Sequence, residues 1–238
     1  MTDGGPAAQP GDAVHLDALL VGALAPLGPR AAPSGIAKRP TDRPLALGAC
    51  GFEGDAQGDL RVHGGPDKAV HHYPFEHYAA WTAEIGPHPL LTAPGAFGEN
   101  LSTRGLTEAT VALGDVFRLG TALVEASQGR QPCWKLNARF ARPRLAAEVQ
   151  ASGRTGWYYR VLEPGVVAPG DALRLVERRA PDWPLARLWR ILYVEVLNRD
   201  ELAAMAALPG LPDGWRRHAE RRLASGRVED WGPRLDGA

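Results

Sequence analysis

The sequence predicts a mainly β fold: a closed or nearly closed β-barrel with interspersed short helices, followed by a small C-terminal three-helix unit. Three observations carry this expectation. Gly and Pro make up 28 and 21 of the 238 residues, an excess that favours turns and short strands over long helices. Short β-prone runs bounded by Gly and Asp recur through the middle of the chain, which is hairpin grammar. Near Pro181 the pattern changes to apolar residues at helical spacing. With 45% hydrophobic residues, the chain can build one sizeable core, or one domain and a small appendage.

The elements follow in order. Residues 1–15 are poor in large apolar groups and read as a flexible tail. Leu19–Val21 reads as the first strand, residues 28–35 as a loop, and Ile36–Lys38 as a short extended piece. Residues 48–68 are dense in Gly and Asp without a helical period. A loop of that length tends to be functional or disordered. Tyr73–Pro74 is expected to open a helix carrying Phe75, Tyr78, Ala79, Thr82 and Ile85 on one face, stopped by Gly86–Pro87. Residues 97–105 read as a Gly-bounded loop, 110–113, 116–119 and 122–126 as strands, and 127–135 as a loop. A short helix over Arg144–Ser152 precedes strands over 157–162, 166–167 and 173–176. The stripe Leu185, Leu188, Trp189 and Leu192 marks one C-terminal helix. Asn198 with Glu201 resembles a capping box that starts the second. Pro212–Asp213 opens a third, which Gly226 ends. The division is a tail over 1–15, a barrel domain over 16–180 and a three-helix unit over 181–238.

Charge and cysteine content narrow the function classes. The chain carries 27 basic and 27 acidic side chains, which argues against a general nucleic-acid or polybasic membrane binder. The third C-terminal helix carries Arg216, Arg217, Arg221 and Arg222, but residues 181–238 hold nine arginines and nine acids. A solvated face or a docking site for an acidic partner is favoured over a DNA-reading helix. Two distant cysteines, Cys50 and Cys133, make neither a disulfide scaffold nor a cysteine-based zinc module. No basic n-region opens the chain, and its best apolar run, Ala18–Ala25, is too short for a bilayer. A cytoplasmic protein without a membrane partner is expected. Walker, GxGxxG, Gly-x-Ser-x-Gly and HExxH motifs are absent from the sequence.

Three segments carry candidate chemistry. In the run 127–135, Arg130 and Lys135 flank Cys133. Neighbouring cations favour thiolate, the form that ligates metals and attacks electrophiles; a buried structural cysteine is the competing reading. In His63-Gly64-Gly65-Pro66-Asp67, glycines let backbone N–H groups approach an anion, and His63 adds a donor; a plain turn into a helix competes. His72 and His77 are five apart, a poor zinc spacing. In Gly98-Glu99-Asn100, Asn100 suits a heterocycle edge and Glu99 is a candidate proton donor; an ordinary Asx loop competes.

Taken in order, Gly54-Asp55, His63 to Val70, Tyr73-Pro74, His77-Tyr78, Phe97 to Leu101, Gly114-Asp115 and Gln128 to Lys135 resemble a MOSC domain (molybdenum-cofactor sulfurase C-terminal). The resemblance is to the bacterial hydroxylaminopurine-resistance type, which also ends in a trihelical extension, and it covers about residues 19–230. It implies a β-barrel-like fold that binds the pyranopterin molybdenum cofactor through one cysteine thiolate. The implied activity is a molybdenum-dependent oxidoreductase that reduces N-hydroxylated compounds, such as hydroxylaminopurine, to amines. The metal-ligating cysteine falls on Cys133, the early-loop lysine on Lys38, the loop asparagine on Asn100 and the His-Gly-Gly loop on His63 to Gly65. Arg130 and Lys135 join Lys38 as anchors for the cofactor's anionic groups, and Glu99 and Asp67 are the candidate acids. That branch carries a proline where Gly129 stands, so a more flexible loop before Cys133 is expected. The chain has too few cysteines for a protein-held iron–sulfur cluster. The resemblance therefore implies a separate flavin-type reductase as electron donor, with the three-helix unit as a candidate dock and a homodimer left open. A non-catalytic carrier of the cofactor or of sulfur would need the same Cys133 and anion-binding loops. A regulator using the C-terminal helices on nucleic acid is the least favoured alternative.

Overall fold

The computed structural model describes residues 9–58 and 64–237. His63 therefore lies outside the described residues, as do residues 1–8 of the expected tail. Strand β1 (Ala13–Val21) starts earlier than its apolar run indicates, because Gly11 and Asp12 already exchange backbone hydrogen bonds with Leu175. A small hairpin follows, β2 (Ala25–Leu27) with β3 (Ala32–Ser34), then β4 (Arg39–Pro40) beside the end of β1. Strands β5 (Leu45–Gly48) and β6 (Gly51–Phe52) lead towards β7 (Val70–Pro74) and helix α1 (Glu76–Ile85). Next come β8 (Leu101–Thr103), β9 (Val116–Leu119) and β10 (Ala122–Gly129). Helices α2 (Lys135–Arg139) and α3 (Leu145–Ser152) precede β11 (Trp157–Glu163), β12 (Gly165–Val167) and β13 (Ala172–Glu177).

Seven strands close a barrel in the order β13-β9-β10-β11-β7-β8-β1, with β1 pairing back onto β13. Closure removes the exposed edges that an open sheet of this size would leave. All barrel pairs are antiparallel except β7–β8. Strand alternation sorts side chains between two cores. Val70, Trp157 and Tyr159 join one, with Phe117 and Leu175. Tyr73, offset on β7, joins the other with Phe97, Trp81, Phe140 and Val149, between the barrel wall and helices α1 to α3.

The C-terminal unit comprises α4 (Leu185–Tyr193), α5 (Arg199–Ala206) and α6 (Asp213–Ser225), as expected, and a short α7 (Gly232–Asp236) follows. Asn198 caps α5 by accepting the Glu201 N–H at 3.3 Å. Leu188, Ile191, Met205, Trp215 and Ala219 belong to the same buried cluster as the barrel residues. Full burial of such side chains is worth about 1.5–3 kcal/mol each, so the unit is held by packing on the barrel. Two of the four arginines on α6 are used internally. Arg222 is buried and forms a bidentate pair with Glu229 at 3.0 and 3.1 Å. Arg216 caps carbonyls of Ala206, Leu208 and Leu211.

Several local expectations are corrected. Tyr73–Pro74 do not open a helix. They complete β7, whose partners at both edges bury them, and α1 starts at Glu76. Residues 110–113 form turns and a single bridge from Ala112 to Pro184 rather than a strand. The loop over 97–105 contains β8. The loop over 127–135 contains the end of β10 and the first residue of α2. Gly129 is not a loosened loop residue: it pairs with Trp157 in the β10–β11 ladder, and a Cβ there would meet the Trp215 ring at 3.3 Å.

Candidate functional site

The site is built where β7, β10 and β11 end beside the early loops. Strand β7 places His72 inwards and His71 outwards. His71 stands beside Tyr158 of β11, with ring centroids 5.1 Å apart. Strand β10 delivers Arg130, whose N–H donates to Gly156 O at 2.9 Å. The chain then turns through Pro132 to Cys133 and enters α2 at Lys135. These residues line a cleft, with Lys38, Asp55, Lys68 and Asn100 facing them. Five residues that the sequence singled out thus meet: Lys38, Asn100, Arg130, Cys133 and Lys135. Cys133 is 7% exposed.

The charges in the cleft are partly satisfied. Lys38 forms a buried ion pair with Asp55, whose other oxygen accepts Asn100 Nδ2 at 2.9 Å. Burial lowers the Lys38 pKa and the nearby Asp55 carboxylate opposes it. Burial also lowers the Lys68 pKa, against Asp67 and Cys133. Lys135 Nζ donates to Pro33 O at 3.2 Å. Asn100 is a bracket rather than an open heterocycle-binding edge: its Oδ1 accepts the His71 N–H at 3.0 Å, and its Nδ2 also donates to Leu20 O at 3.1 Å. Two buried atoms at the cleft residues have no hydrogen-bond partner among the described residues, Arg130 Nη1 and His71 Nε2. Burial, with the Arg130 charge adding to it, holds the His71 pKa well below the ordinary histidine value, so the ring is neutral. An orphaned guanidinium N–H in a cleft of cations is what an anionic ligand would satisfy.

The remaining candidates lie elsewhere. Glu99 is fully buried and does not line the cleft. Its carboxylate accepts N–H groups of Gly95 and Phe97 at 2.7 and 3.0 Å and the Tyr78 hydroxyl. This holds the 95–99 turn shut and gives Glu99 a structural role in place of proton donation. Asp67 pairs with Arg160 at 2.8 Å and, with Gly64 and Gly65, borders a second cleft. Among the described residues no group of three His, Cys, Asp or Glu side chains could hold a metal. His72 is taken by Tyr159 and Thr103, and His77 by Glu108. Sequence reading assigned no site role to Asp55, Lys68, His71 or Tyr158. Asp55 and Lys68 stood inside the resembling segments, whereas His71 and Tyr158 were visible only through strand alternation. The last helix also bears on the site: Trp134 N donates to Arg234 O at 2.8 Å, and Arg234 donates to Pro132 O.

A barrel closed through β1 and β13, with a cysteine in a cationic cleft and a packed helical unit, defines a class that the comparisons identify. Residues 59–174 match the MOSC domain, and residues 183–226 match the YiiM-like 3-alpha helix domain. The chain belongs to the MOSC family. It is 42% identical to Protein YiiM of Escherichia coli over 209 residues, covering 88% of this chain and 93% of that protein. It is 38% identical over 193 residues to a Gibberella moniliformis protein named Reductase, covering 81% of this chain but 34% of that longer protein. The crystal structure of YiiM from Escherichia coli superposes with a TM-score of 0.76 at 38% identity, over 90% of this chain and 98% of that one. The YiiM structure from Geobacillus stearothermophilus gives 0.75 at 36% identity, over 88% and 99%. Among the described residues, no helix is long and apolar enough to cross a membrane.

Proposed function

We propose that this protein is a molybdenum-cofactor-dependent reductase of N-hydroxylated compounds, with Cys133 as the metal ligand. The observation that carries the reading is the cleft itself. A lone buried cysteine shares it with Lys38, Lys68, Arg130 and Lys135, and Arg130 Nη1 has no partner among the described residues. The donor set fits the group. Thiolate is the soft anionic ligand molybdenum requires, and the cations and glycine backbone suit a phosphate-bearing pterin. When bound, the cofactor supplies the two-electron chemistry that, with two protons, converts an N–OH group to N–H and releases water.

The chain's own residues bind, orient and hold protons. Arg130 is fixed through its backbone on Gly156 and directs its unpaired N–H towards an anion. Asn100 and Asp55 hold Lys38 and the β7 backbone in register. Burial raises the Tyr158 pKa, with Arg130 opposing it, so the phenol keeps its proton at neutral pH and presents an O–H at the cleft wall. Electrons come from a separate flavin-type reductase. A relative 38% identical to this chain carries the name Reductase, which supports a redox role.

The test is molybdenum content per chain, by elemental mass spectrometry, on wild type and Cys133→Ala from a cofactor-competent host. Metal in the first and loss of at least about nine tenths in the second is the expected result. Equal retention moves the anchor away from Cys133. Metal bound without turnover on an N-hydroxylated base and an artificial reductant turns the reading into a cofactor carrier.

A further inference from the structure

We propose that Arg234 is a positioning residue for Cys133: from an anchor on the three-helix unit, it clasps the backbone on both sides of the residue that carries the sulfur. The consequence for the metal rests on the reading of Cys133 as ligand, whereas the clasp stands on its own geometry. The Arg234 carbonyl oxygen accepts the Trp134 N–H at 2.8 Å, and its Nη1 donates to Pro132 O. Those two groups belong to the two peptide planes that meet at the Cys133 Cα. Peptide planes are rigid, so a partner on each fixes the residue between them. Arg234 lies 102 positions from Pro132 in the chain, so only the tertiary fold brings this partner to the loop.

The clasp is held at both ends. On its near side, Glu229 takes a bidentate pair from Arg222 of α6 and a second contact from His218. Trp231 then sits among Arg222, His218 and Tyr193, at centroid distances of 5.6, 5.1 and 5.6 Å. The Arg234 guanidinium lies over that Trp231 ring at 4.8 Å and donates Nη2 to Gln150 Oε1 on α3. Tyr193 also accepts Gln131 Nε2 at 3.0 Å, so α4 holds the same loop two residues before the sulfur. On the far side, Leu235 O accepts Asn137 Nδ2 at 2.9 Å, and Asn137 Oδ1 accepts the Ala146 N–H at 2.7 Å. The segment thereby ties α2 to α3 directly behind Cys133. It ends at Gly237, where φ is +73° and a Cβ would meet the Trp134 ring at 2.8 Å, so only glycine lets the chain close there. A thiolate ligand binds metal well only when its approach is fixed, and partners outside the ligand set supply that constraint.

The test reads the loop on cofactor-free protein and the metal on loaded protein. Cys133 is alkylated with iodoacetamide, and its peptide is followed by mass spectrometry so that exposed Cys50 is read separately. Wild type, Arg234→Ala, Arg234→Lys and Leu175→Ala are compared well below their Tm, the last being a cut in the barrel core on β13. Arg234→Ala should raise the Cys133 rate at least about fivefold, because losing a charged donor raises the population of the opened loop. Loss of a neighbouring cation by itself slows alkylation, so the direction separates position from charge. Arg234→Lys keeps one charged donor for Pro132 O and should restore most of the wild-type rate. Leu175→Ala should lower Tm more than Arg234→Ala does, yet leave the rate within about twofold of wild type. On loaded protein, Arg234→Ala should cut molybdenum per chain by at least about half. An unchanged or slower rate in Arg234→Ala overturns the proposal, as does an equal rise in Leu175→Ala. A faster rate with full molybdenum also overturns it, since the ligand then has no need of the clasp. Wild type without molybdenum sinks the redox reading and leaves the clasp to stand on the alkylation result.

Discussion

His71 and His72 are adjacent on β7 and have opposite fates. His72 points into the barrel, where Nδ1 meets the Tyr159 hydroxyl at 3.0 Å and Nε2 meets Thr103 Oγ1 at 2.9 Å. Its ring lies on Trp157 with centroids 4.3 Å apart. His71 points the other way, to the cleft, with Nε2 unpartnered among the described residues. Tyr159 and Tyr158 on β11 repeat the contrast. A strand has period two, so one residue step moves a side chain from a closed, satisfied interior to an open, unsatisfied wall. The interior polar groups serve stability, and those at the cleft are left for a ligand.

Substitutions can break or sharpen that contrast. The largest effect is expected at Cys133, where Ala should abolish reductase turnover and leave the Tm within a few degrees, read by activity and thermal denaturation. His72→Ala should destabilise by about 3–5 kcal/mol in urea unfolding, because it opens a cavity and orphans two buried hydroxyls. His71→Ala should cost less than His72→Ala, since it orphans no buried hydroxyl, yet lower molybdenum retention. Similar costs at both positions would erase the contrast. Glu99→Gln should cost about 1–3 kcal/mol by weakening the 95–99 turn, with turnover per folded chain unchanged; a collapse of turnover at normal stability would restore Glu99 as an acid. The same contrast should show in the pH dependence. Burial pushes His72 down to about 3, so between pH 6.5 and 3 the unfolded chain binds the proton that the folded chain refuses. Unfolding free energy should therefore fall on acidification through that window, by ~1.4 kcal/mol per pH unit for this one group. His72→Gln should flatten that slope.

The helical unit was the more legible half. Leu185, Leu188 and Leu192 set one face, Asn198 and Glu201 a start, and Gly226 an end. All three helices stand where those local signals put them. In the barrel, local signals misled where strands are buried on both faces. β7 reads as a helix entrance because Tyr73–Pro74 lacks alternation, and only pairing with β8 and β11 makes it strand. The cluster around Cys133 was half legible. Cations adjacent to the sulfur in sequence were visible, and Lys38 entered through the family resemblance. Lys68, His71 and Tyr158 were given no site role, because their approach depends on closure of the barrel.

Residue order alone determined the local rules of this protein: where helices are capped and stopped, where glycines turn the chain, and that charge balances. It also carried the ordered segments that mark the MOSC family. These properties depend on neighbours within a few positions, so no partner strand is needed to read them. The tertiary structure decided which of two adjacent histidines faces a ligand. It assigned Glu99 to the backbone and Asn100 to a bracket. Those outcomes depend on contacts between residues distant in sequence, and only the closed β1–β13 barrel and the packing of Trp215 on Gly129 bring them within reach.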